Sequence, residues 1–374
     1  MDQVKLALVH DFLFAYGGAE RTLHALHELY PEAPIYTTFA YPEIVAAHFP
    51  KAAIITSPLQ KHWLRQWPSL LINHMPQAVE SFDLRGYDVV LSSSGAFSHG
   101  VITGPDTVHI CYCHTPMRYG WDWHVEYLSE RKVRNLPALL IANTAMSRLR
   151  LWDSLSAKRV DYWVANSQVV ANRIRQYYRA ESEIIHPPVN TEFFDFRSLG
   201  EIKEGTCAIT VSRLKPYKKI DLIIQACRAV GLPLKIAGAG EDEPRLRKLA
   251  GSDGTVIFLG PISEEEKRTE IAGSRCFIFP ADDDFGIAPV EALGLGVPVI
   301  AYKKGGALEY VKDSENGYFF KEQTVESLEE QLRRFVTDGV RMNRSDIRET
   351  AVSFGEAAFC QNITSFITSH AHAN

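Results

Sequence analysis

Short, almost uninterrupted apolar runs alternate with amphipathic helical stretches along the whole chain, and this alternation limits the possible folds severely. Lys5-Leu6-Ala7-Leu8-Val9-His10 and Asp88-Val89-Val90-Leu91-Ser92 place apolar side chains at consecutive positions, so each strand needs cover on both of its faces. That requirement is met by a mainly parallel sheet flanked by helices, the α/β class. In the first half, Val4–Val9, Ala33–Thr38, Ala53–Ser57, Val89–Ser92, Val108–Cys113, Tyr162–Ala165 and Ser182–His186 read as strands, and Gly18–Tyr30 as a helix with Leu23, Leu26 and Tyr30 on one face. The second half repeats the grammar. Cys207–Val211, Leu234–Ala237, Val256–Leu259, Cys276–Phe279 and Pro298–Ala301 read as strands, with helices expected near Ile220–Ala229, Glu243–Leu249, Glu264–Gly273, Ala288–Leu293, Ala307–Val311 and Val325–Val336.

At 374 residues the chain exceeds one ordinary core and fits two domains. The paired prolines of Pro187-Pro188-Val189-Asn190-Thr191 stop a strand and mark the boundary. We therefore expect a first domain over residues 1–188, a second over 189–352, and a terminal helical segment from 353 to 374 that packs back on the first. Its helix is expected over roughly Arg348–Thr368, with Phe354, Phe359 and Phe366 as packing residues.

Several functional classes are disfavoured. A net charge of −5 argues against general nucleic-acid binding. No apolar stretch approaches the ~20 residues of a bilayer-spanning helix, and the first apolar run reads as a buried strand instead of a signal peptide. The six cysteines form no C-x-x-C pair, as expected of reduced thiols in a cytoplasmic protein. From Arg118 to Arg179, however, eleven Lys/Arg face only five acids. This segment is either a set of solvated helix faces or a surface for phosphates and anionic membrane. The mixed run Lys61-His62-Trp63-Leu64-Arg65-Gln66-Trp67 has the same two readings: an aromatic core helix, or contact with a phosphate-bearing acceptor at a membrane.

Chemistry-bearing residues gather where strands should end. Gly17-Gly18 follow the first strand and open a helix, where backbone N–H groups can approach a phosphate; a simple tight connection is the alternative. Arg213 and Lys218 lie in the turn Ser212–Asp221 after the first strand of the second half. They form either a solvated basic loop or a diphosphate grip, Arg as a fork and Lys as a point charge. In Phe279–Ala292, Asp283 sits in a turn and Glu291 eight residues later in a helix, so both carboxylates can hold hydroxyls of one extended ligand. Asp284 is placed to cap that helix. The triplet Asp282-Asp283-Asp284 admits a divalent ion, but a cationic pair can neutralise a diphosphate instead, and no metal site is assigned. Gly238-Ala239-Gly240 lacks the third glycine of a dinucleotide fingerprint, Glu243 standing in its place. His114 ends a strand before a proline turn, either as a structural residue or as a hydrogen-bonding partner for substrate.

Taken in order, GGAER (17–21), HTPMRY (114–119), SRLKPYKKID (212–221), IAGAGEDEPRL (236–246), FLGPISEEE (258–266) and DDDFGIAPVEALGLGVPVIA (282–301) resemble glycosyltransferase family 4, and the likeness is greatest to bacterial mannosyltransferases of O-antigen and exopolysaccharide synthesis. The resemblance implies the GT-B fold, two Rossmann-like domains facing across a cleft, and transfer from a nucleotide-diphosphate sugar with retention and without a metal or other cofactor. GDP-mannose is the donor it suggests, with a saccharide, lipid-linked acceptor at the inner face of the plasma membrane. Arg213 and Lys218 would hold the diphosphate, and Glu291 the ribose. Phe285, Gly286, Ile287 and Ala288 would line the donor site, with Gly17 and Gly18 toward its phosphates. His114 would contact the transferred sugar, and Asp11 and Arg118 the acceptor side. Asp283 takes the first acidic position of the family's E-x7-E motif as Asp instead of Glu, one methylene shorter. Two alternatives stay open: a nucleotide-sugar epimerase of the same fold, over which the Asp283/Glu291 spacing and the SRLKPYKK turn favour transfer, and a non-catalytic nucleotide-sugar binding module, which the Asp for Glu departure prompts.

Overall fold

The computed structural model describes residues 4–62, 71–125, 136–202 and 205–371. The chain divides into two compact units, Met1–Pro188 with Phe359–Asn374, and Val189–Ala358.

The first unit is built on β1 (Leu6–His10), β2 (Ile35–Thr37), β3 (Ile54–Thr56), β4 (Val89–Ser94), β5 (Val108–Cys113), β6 (Tyr162–Ala165) and β7 (Ser182–Ile184). All pair in parallel, in the order β3-β2-β1-β4-β5-β6-β7. Strand order therefore reverses between β1 and β4, which opens a crevice at their C-terminal ends where ligands collect in such sheets. Every residue of β1, β4 and β5 is buried, as their continuous apolarity requires. Leu8, Leu91 and Ile110 face the helix Gly18–Leu29 through Leu23 and Leu26. Val9 and Val90 face the opposite layer with Phe97, Met117 and Leu149.

The terminal segment differs from its expected form. It is two helices, Arg344–Val352 and Glu356–His370, and not one. Between them Phe354 O accepts from Val189 N (3.1 Å) and Glu356 N donates to Val189 O (3.2 Å), so this backbone is committed outside the helical ladder. Phe354 packs on Phe285 and Tyr310 (ring centroids 5.8 and 6.0 Å) inside the second unit. The return to the first unit accordingly starts at Phe359, six residues after the expected 353. From there Phe359, Ile363, Phe366 and Ile367 form one apolar stripe against the first core.

The second unit carries β8 (Ala208–Val211), β9 (Leu234–Ala237), β10 (Val256–Gly260), β11 (Cys276–Phe279), β12 (Val299–Tyr302) and β13 (Gly317–Phe320), all parallel, in the order β10-β9-β8-β11-β12-β13. Its switch point lies between β8 and β11. The strand β13 is not among the strands read from the sequence, and its place depends on close backbone approach. A Cβ on Gly317 would lie 1.9 Å from Val299 O.

Three histidines of the first unit, His99 and His109 buried and His114 half-buried, set its response to acid. His109 is spanned by Arg159 O (3.1 Å) and Ser92 Oγ (2.9 Å), and His99 by the hydroxyls of Ser94 and Ser156 (3.2 Å each). Loss of water around the rings of His99, His109 and His114 pulls each down to about 4. In the unfolded chain they take up protons near 6.5, so below that value unfolding binds protons and stability falls as pH drops toward 4. Asp153, raised by burial to about 7, has the opposite sign between its ordinary value and 7, but is one group against three. Urea-unfolding midpoints should fall between pH 7 and 5, each histidine contributing up to about 2 kcal/mol. A midpoint that rises or stays constant contradicts this assignment.

Candidate active site

In the second unit, the turns after the two switch-point strands meet. The chain leaves β8 through Ser212–Pro216, makes a short 3-10 turn at Pro216–Lys218, and enters the helix Ile220–Val230 through Lys219, which has φ 54°. Such a conformation is sparsely populated by residues other than glycine and collects at functional sites. Lys218 Nζ donates to Asp283 Oδ2 from the turn after β11, joining two of the expected site residues across 65 positions of sequence. Lys218 also lies over the Tyr217 ring at 5.2 Å, and Arg213, which is exposed, donates from Nη2 to Tyr217 Oη at 3.3 Å. Tyr217 was not singled out in the sequence; an aromatic residue between two cations at a strand end was the available signal.

The acidic turn is held from below. Asp283 O accepts from Gly306 N (2.9 Å), and Asp282 pairs with Lys304 (2.9 Å). Gly286 has φ 87°, and a Cβ there would meet the Phe279 ring at 2.7 Å and Tyr310 Oη at 2.9 Å, so only glycine fits. The helix Ile287–Gly294 has this glycine at its N-cap, so the N-cap position is Gly286 and not Asp284. The first turn of this helix, at Ile287 and Ala288, presents backbone N–H groups of the kind that meet an anion with the help of the helix dipole.

Two expected donor contacts are engaged inside the unit. Phe285 is buried, with its ring against Tyr310 and its carbonyl accepting from Tyr310 Oη (2.9 Å), because the turn needs an apolar anchor. Glu291 is 1% exposed, and its Oε1 accepts from Lys267 Nζ at 2.9 Å; Lys267 also reaches Glu264 Oε2 at 2.8 Å. Lys267, absent from the sequence reading, is therefore the charge partner that permits a buried carboxylate here. The Gly238/Gly240 pair has a packing explanation: added Cβ atoms would lie 1.9 Å from Ser212 O and 2.1 Å from Leu214 O. These glycines seat the β9 turn against the Arg213 turn.

In the first unit the switch point holds a polar cluster. His10 ends β1 beside its register partner Ser93 on β4, and His114 follows β5. His10 Nδ1 lies 3.1 Å from Ser93 Oγ, and Ser93 Oγ lies 2.8 Å from His114 Nε2. Gly17 and Gly18 form the start of the helix Gly18–Leu29, yet Gly17 N–H donates to Glu20 Oε2 (2.8 Å), so the chain's own carboxylate takes that donor. Gly18 keeps the open first-turn position. Asp11, expected on the acceptor side, is 5% exposed and accepts from Gly95 N (2.6 Å), Phe97 N (2.8 Å) and Ser98 N (2.7 Å). It clamps the loop after β4, which explains a buried carboxylate without a ligand. Arg118 and Arg173 share Asp122 (3.9 and 3.2 Å), and Arg173 also donates to Thr115 Oγ1 at 3.3 Å.

The basic stretch is largely tied down where it is described. Arg159 bonds Glu80 Oε1 and Gly100 O, Arg150 bonds Gly120 O, and Arg175 pairs with Glu181. Arg131, Lys132 and Arg134 lie outside the described residues, as do Trp63, Leu64, Arg65, Gln66 and Trp67. On the helix Leu136–Ser156, the side chains of Leu140, Ile141, Leu151 and Leu155 are exposed, Ile141 by 72%. Leu140, Ile141 and Arg148 line a cavity of about 560 Å³ with Asn73, Pro76 and Trp152. No helix among the described residues is long and apolar enough to cross a membrane.

With this geometry in hand, comparison with known proteins is informative. Residues 16–193 match the model "Glycosyltransferase Family 4", and residues 192–358 match "Glycosyl transferases group 1". The chain is 31% identical over 121 residues to an alpha-1,3/1,6-mannosyltransferase of Dictyostelium discoideum, covering 31% of this chain and 29% of that protein. It is 25% identical over 315 residues to a D-inositol 3-phosphate glycosyltransferase of Streptomyces avermitilis, covering 70% of this chain and 66% of that protein. A GDP-mannose-dependent alpha-(1-6)-phosphatidylinositol monomannoside mannosyltransferase of Mycobacterium tuberculosis is 28% identical, covering 48% of this chain and 50% of its own length. The matches thus span between 29% and 66% of these relatives. Among solved structures, sucrose-phosphate synthase of Thermosynechococcus elongatus superposes with TM-score 0.75 at 16% identity, covering 100% of both chains. The Anabaena protein HepE, crystallised with UDP, gives 0.71 at 17% identity, covering 98% of this chain and 100% of that one. Consecutive family models over almost the whole chain, two parallel Rossmann-like sheets and these structural neighbours agree: the chain belongs to glycosyltransferase family 4 and has the GT-B fold.

Proposed function

We propose that the protein transfers a sugar from a nucleotide-diphosphate donor to a saccharide acceptor, with retention at the anomeric carbon and without a metal ion. The observation that carries this reading is the juxtaposition of Lys218 and Asp283, with the glycine-led start of Ile287–Gly294 following Asp283 in the same turn, at the switch point of the second sheet. As the anomeric C–O bond breaks, negative charge grows on the diphosphate and positive character on the sugar. Lys218, Arg213 and the N–H groups at Ile287 and Ala288 meet the first; Asp283, turned from Lys218 toward a sugar hydroxyl, orients the second. The acceptor oxygen bonds to the anomeric carbon on the face that the diphosphate leaves, and its proton passes to the departing phosphate oxygen.

GDP-mannose is our donor of choice, supported by mannosyltransferases among the relatives, of which the Mycobacterium tuberculosis protein is GDP-mannose-dependent by name. A lipid-linked acceptor at a membrane surface is supported by the exposed apolar side chains beside Arg148. The test is a thermal-shift panel of GDP-mannose, UDP-glucose, UDP-galactose and dTDP-glucose, followed by turnover with the best binder in EDTA, with and without a lipid-linked saccharide. A ligand at 100 times its Kd stabilises by about 2.7 kcal/mol. Expected is a GDP-mannose shift and acceptor-dependent transfer that survives EDTA. Isomerisation without acceptor, or activity restored only by Mn²⁺, would overturn the corresponding part.

A further inference from the structure

The polar cluster at the switch point of the first sheet has more order than sugar contact by His114 alone requires. Three adjacent strands, β1, β4 and β5, deliver His10, Ser93 and His114 to one edge, and the helix that follows β1 adds Glu20. Glu20 Oε2 is fixed by Gly17 N–H at 2.8 Å, and Oε1 lies 3.7 Å from His10 Nε2. His10 Nδ1, Ser93 Oγ and His114 Nε2 then follow at 3.1 and 2.8 Å. His10 is 2% exposed and Ser93 fully buried, while His114 is only half-buried. The series is thus buried in its middle, at His10 and Ser93, and partly exposed at its two ends, Glu20 and His114. Among the described residues, His114 Nδ1 has no hydrogen-bond partner.

We infer that Glu20, His10 and Ser93 are positioning residues that hold His114 in its Nε2–H tautomer, so that Nδ1 presents a lone pair to a hydroxyl of the substrate. The direction follows from donor and acceptor chemistry. At 3.7 Å the Glu20 carboxylate is an electrostatic neighbour of His10 Nε2 and not a hydrogen-bond acceptor, and its negative charge favours the hydrogen of His10 on Nε2, the nitrogen that faces it. His10 Nδ1 is then an acceptor and takes the Ser93 hydroxyl hydrogen. Ser93 Oγ, having donated, accepts from His114 Nε2–H, and Nδ1 is left as acceptor. Two further facts agree. Burial works against the charge on Glu20, yet the His10 ring and Gly17 N–H hold its carboxyl below the ordinary value. Burial, with His10 beside it, lowers His114 to about 4, so its ring is neutral near pH 7 and its tautomer is a meaningful quantity. The contact to substrate rests on the transferase reading above; the tautomer does not.

The experiment uses the full chain labelled with ¹⁵N-histidine, with His114 resonances assigned through His114→Gln. Near pH 7.5 we expect a pyrrole-type Nε2 and a pyridine-type Nδ1. Ser93→Ala should mix the tautomers and lower kcat/KM about tenfold, the scale of one hydrogen bond, and Ser93→Thr should restore both. Glu20→Gln gives an independent variant: its amide can donate to His10 Nε2 and reverse the series, so an Nδ1–H population should appear on His114. An Nδ1–H tautomer in the unaltered protein, or an unchanged tautomer in both Ser93→Ala and Glu20→Gln, overturns the inference. If the tautomer responds as stated while no nucleotide sugar is turned over, the transferase reading fails and the positioning relay stands.

Discussion

Lys218→Ala is expected to lower the rate of sugar transfer by about 100-fold or more, the scale of removing one preorganised charge from a departing anion. The loss should fall mainly on kcat, because charge on the leaving diphosphate grows as the glycosidic bond breaks. Arg213→Ala should reach a similar size with a larger share in KM, since the exposed guanidinium meets the ground-state diphosphate as well. The resting contact between Lys218 and Asp283 sharpens the test. If Lys218 served only to neutralise Asp283, Asp283→Asn would rescue Lys218→Ala; if both act on the donor, the double variant is no better than Lys218→Ala alone. Steady-state rates for the three variants with a saturating acceptor distinguish these outcomes. Turnover within about threefold of normal in Lys218→Ala contradicts the assignment.

Lys267→Ala is expected to destabilise the second unit by about 3–5 kcal/mol, the scale of breaking a buried ion pair by removal of one partner. Lys267 is nearly buried, lies 4.7 Å from the centre of the Phe194 ring, and bridges Glu264 to Glu291. Its loss takes the counter-charge from a carboxylate that is 1% exposed. Glu291→Gln is the informative companion. It keeps a hydrogen-bond acceptor for Lys267 and should cost far less stability. A raised donor KM in a folded Glu291→Gln protein then marks a ribose contact, whereas an unchanged KM leaves Glu291 with a structural role only. Urea unfolding read by circular dichroism measures the first effect; a Lys267→Ala midpoint equal to that of the unaltered protein contradicts it.

The strand positions, the two-domain division at Pro187-Pro188 and the switch-point turns were legible in the residues because each is a local property. Continuous apolarity reports cover on both faces, paired prolines interrupt a strand, and cations or acids beside a strand end declare a turn. The places of Arg213, Lys218, Asp283 and His114 just after strand ends follow from such short patterns. Where local signals failed, the deciding contact was distant in sequence. β13 depends on Gly317 lying against Val299, a contact no local pattern records. The break between Arg344–Val352 and Glu356–His370 depends on hydrogen bonds to Val189.

Partnership was the part that folding alone decided. Asp11 and His114 are both polar residues at strand ends, yet one is bound by three backbone N–H groups of a loop more than 80 positions away, and the other keeps an open ring edge. Glu291 and Asp283 are both acids near one turn, yet one meets Lys267 in the interior and the other meets Lys218 at the site. A sequence records which groups can bond and how they repeat over a few residues. Which of them find each other depends on strand order, since β1 lies beside β4, and β8 beside β11, only after the intervening chain has crossed over and packed.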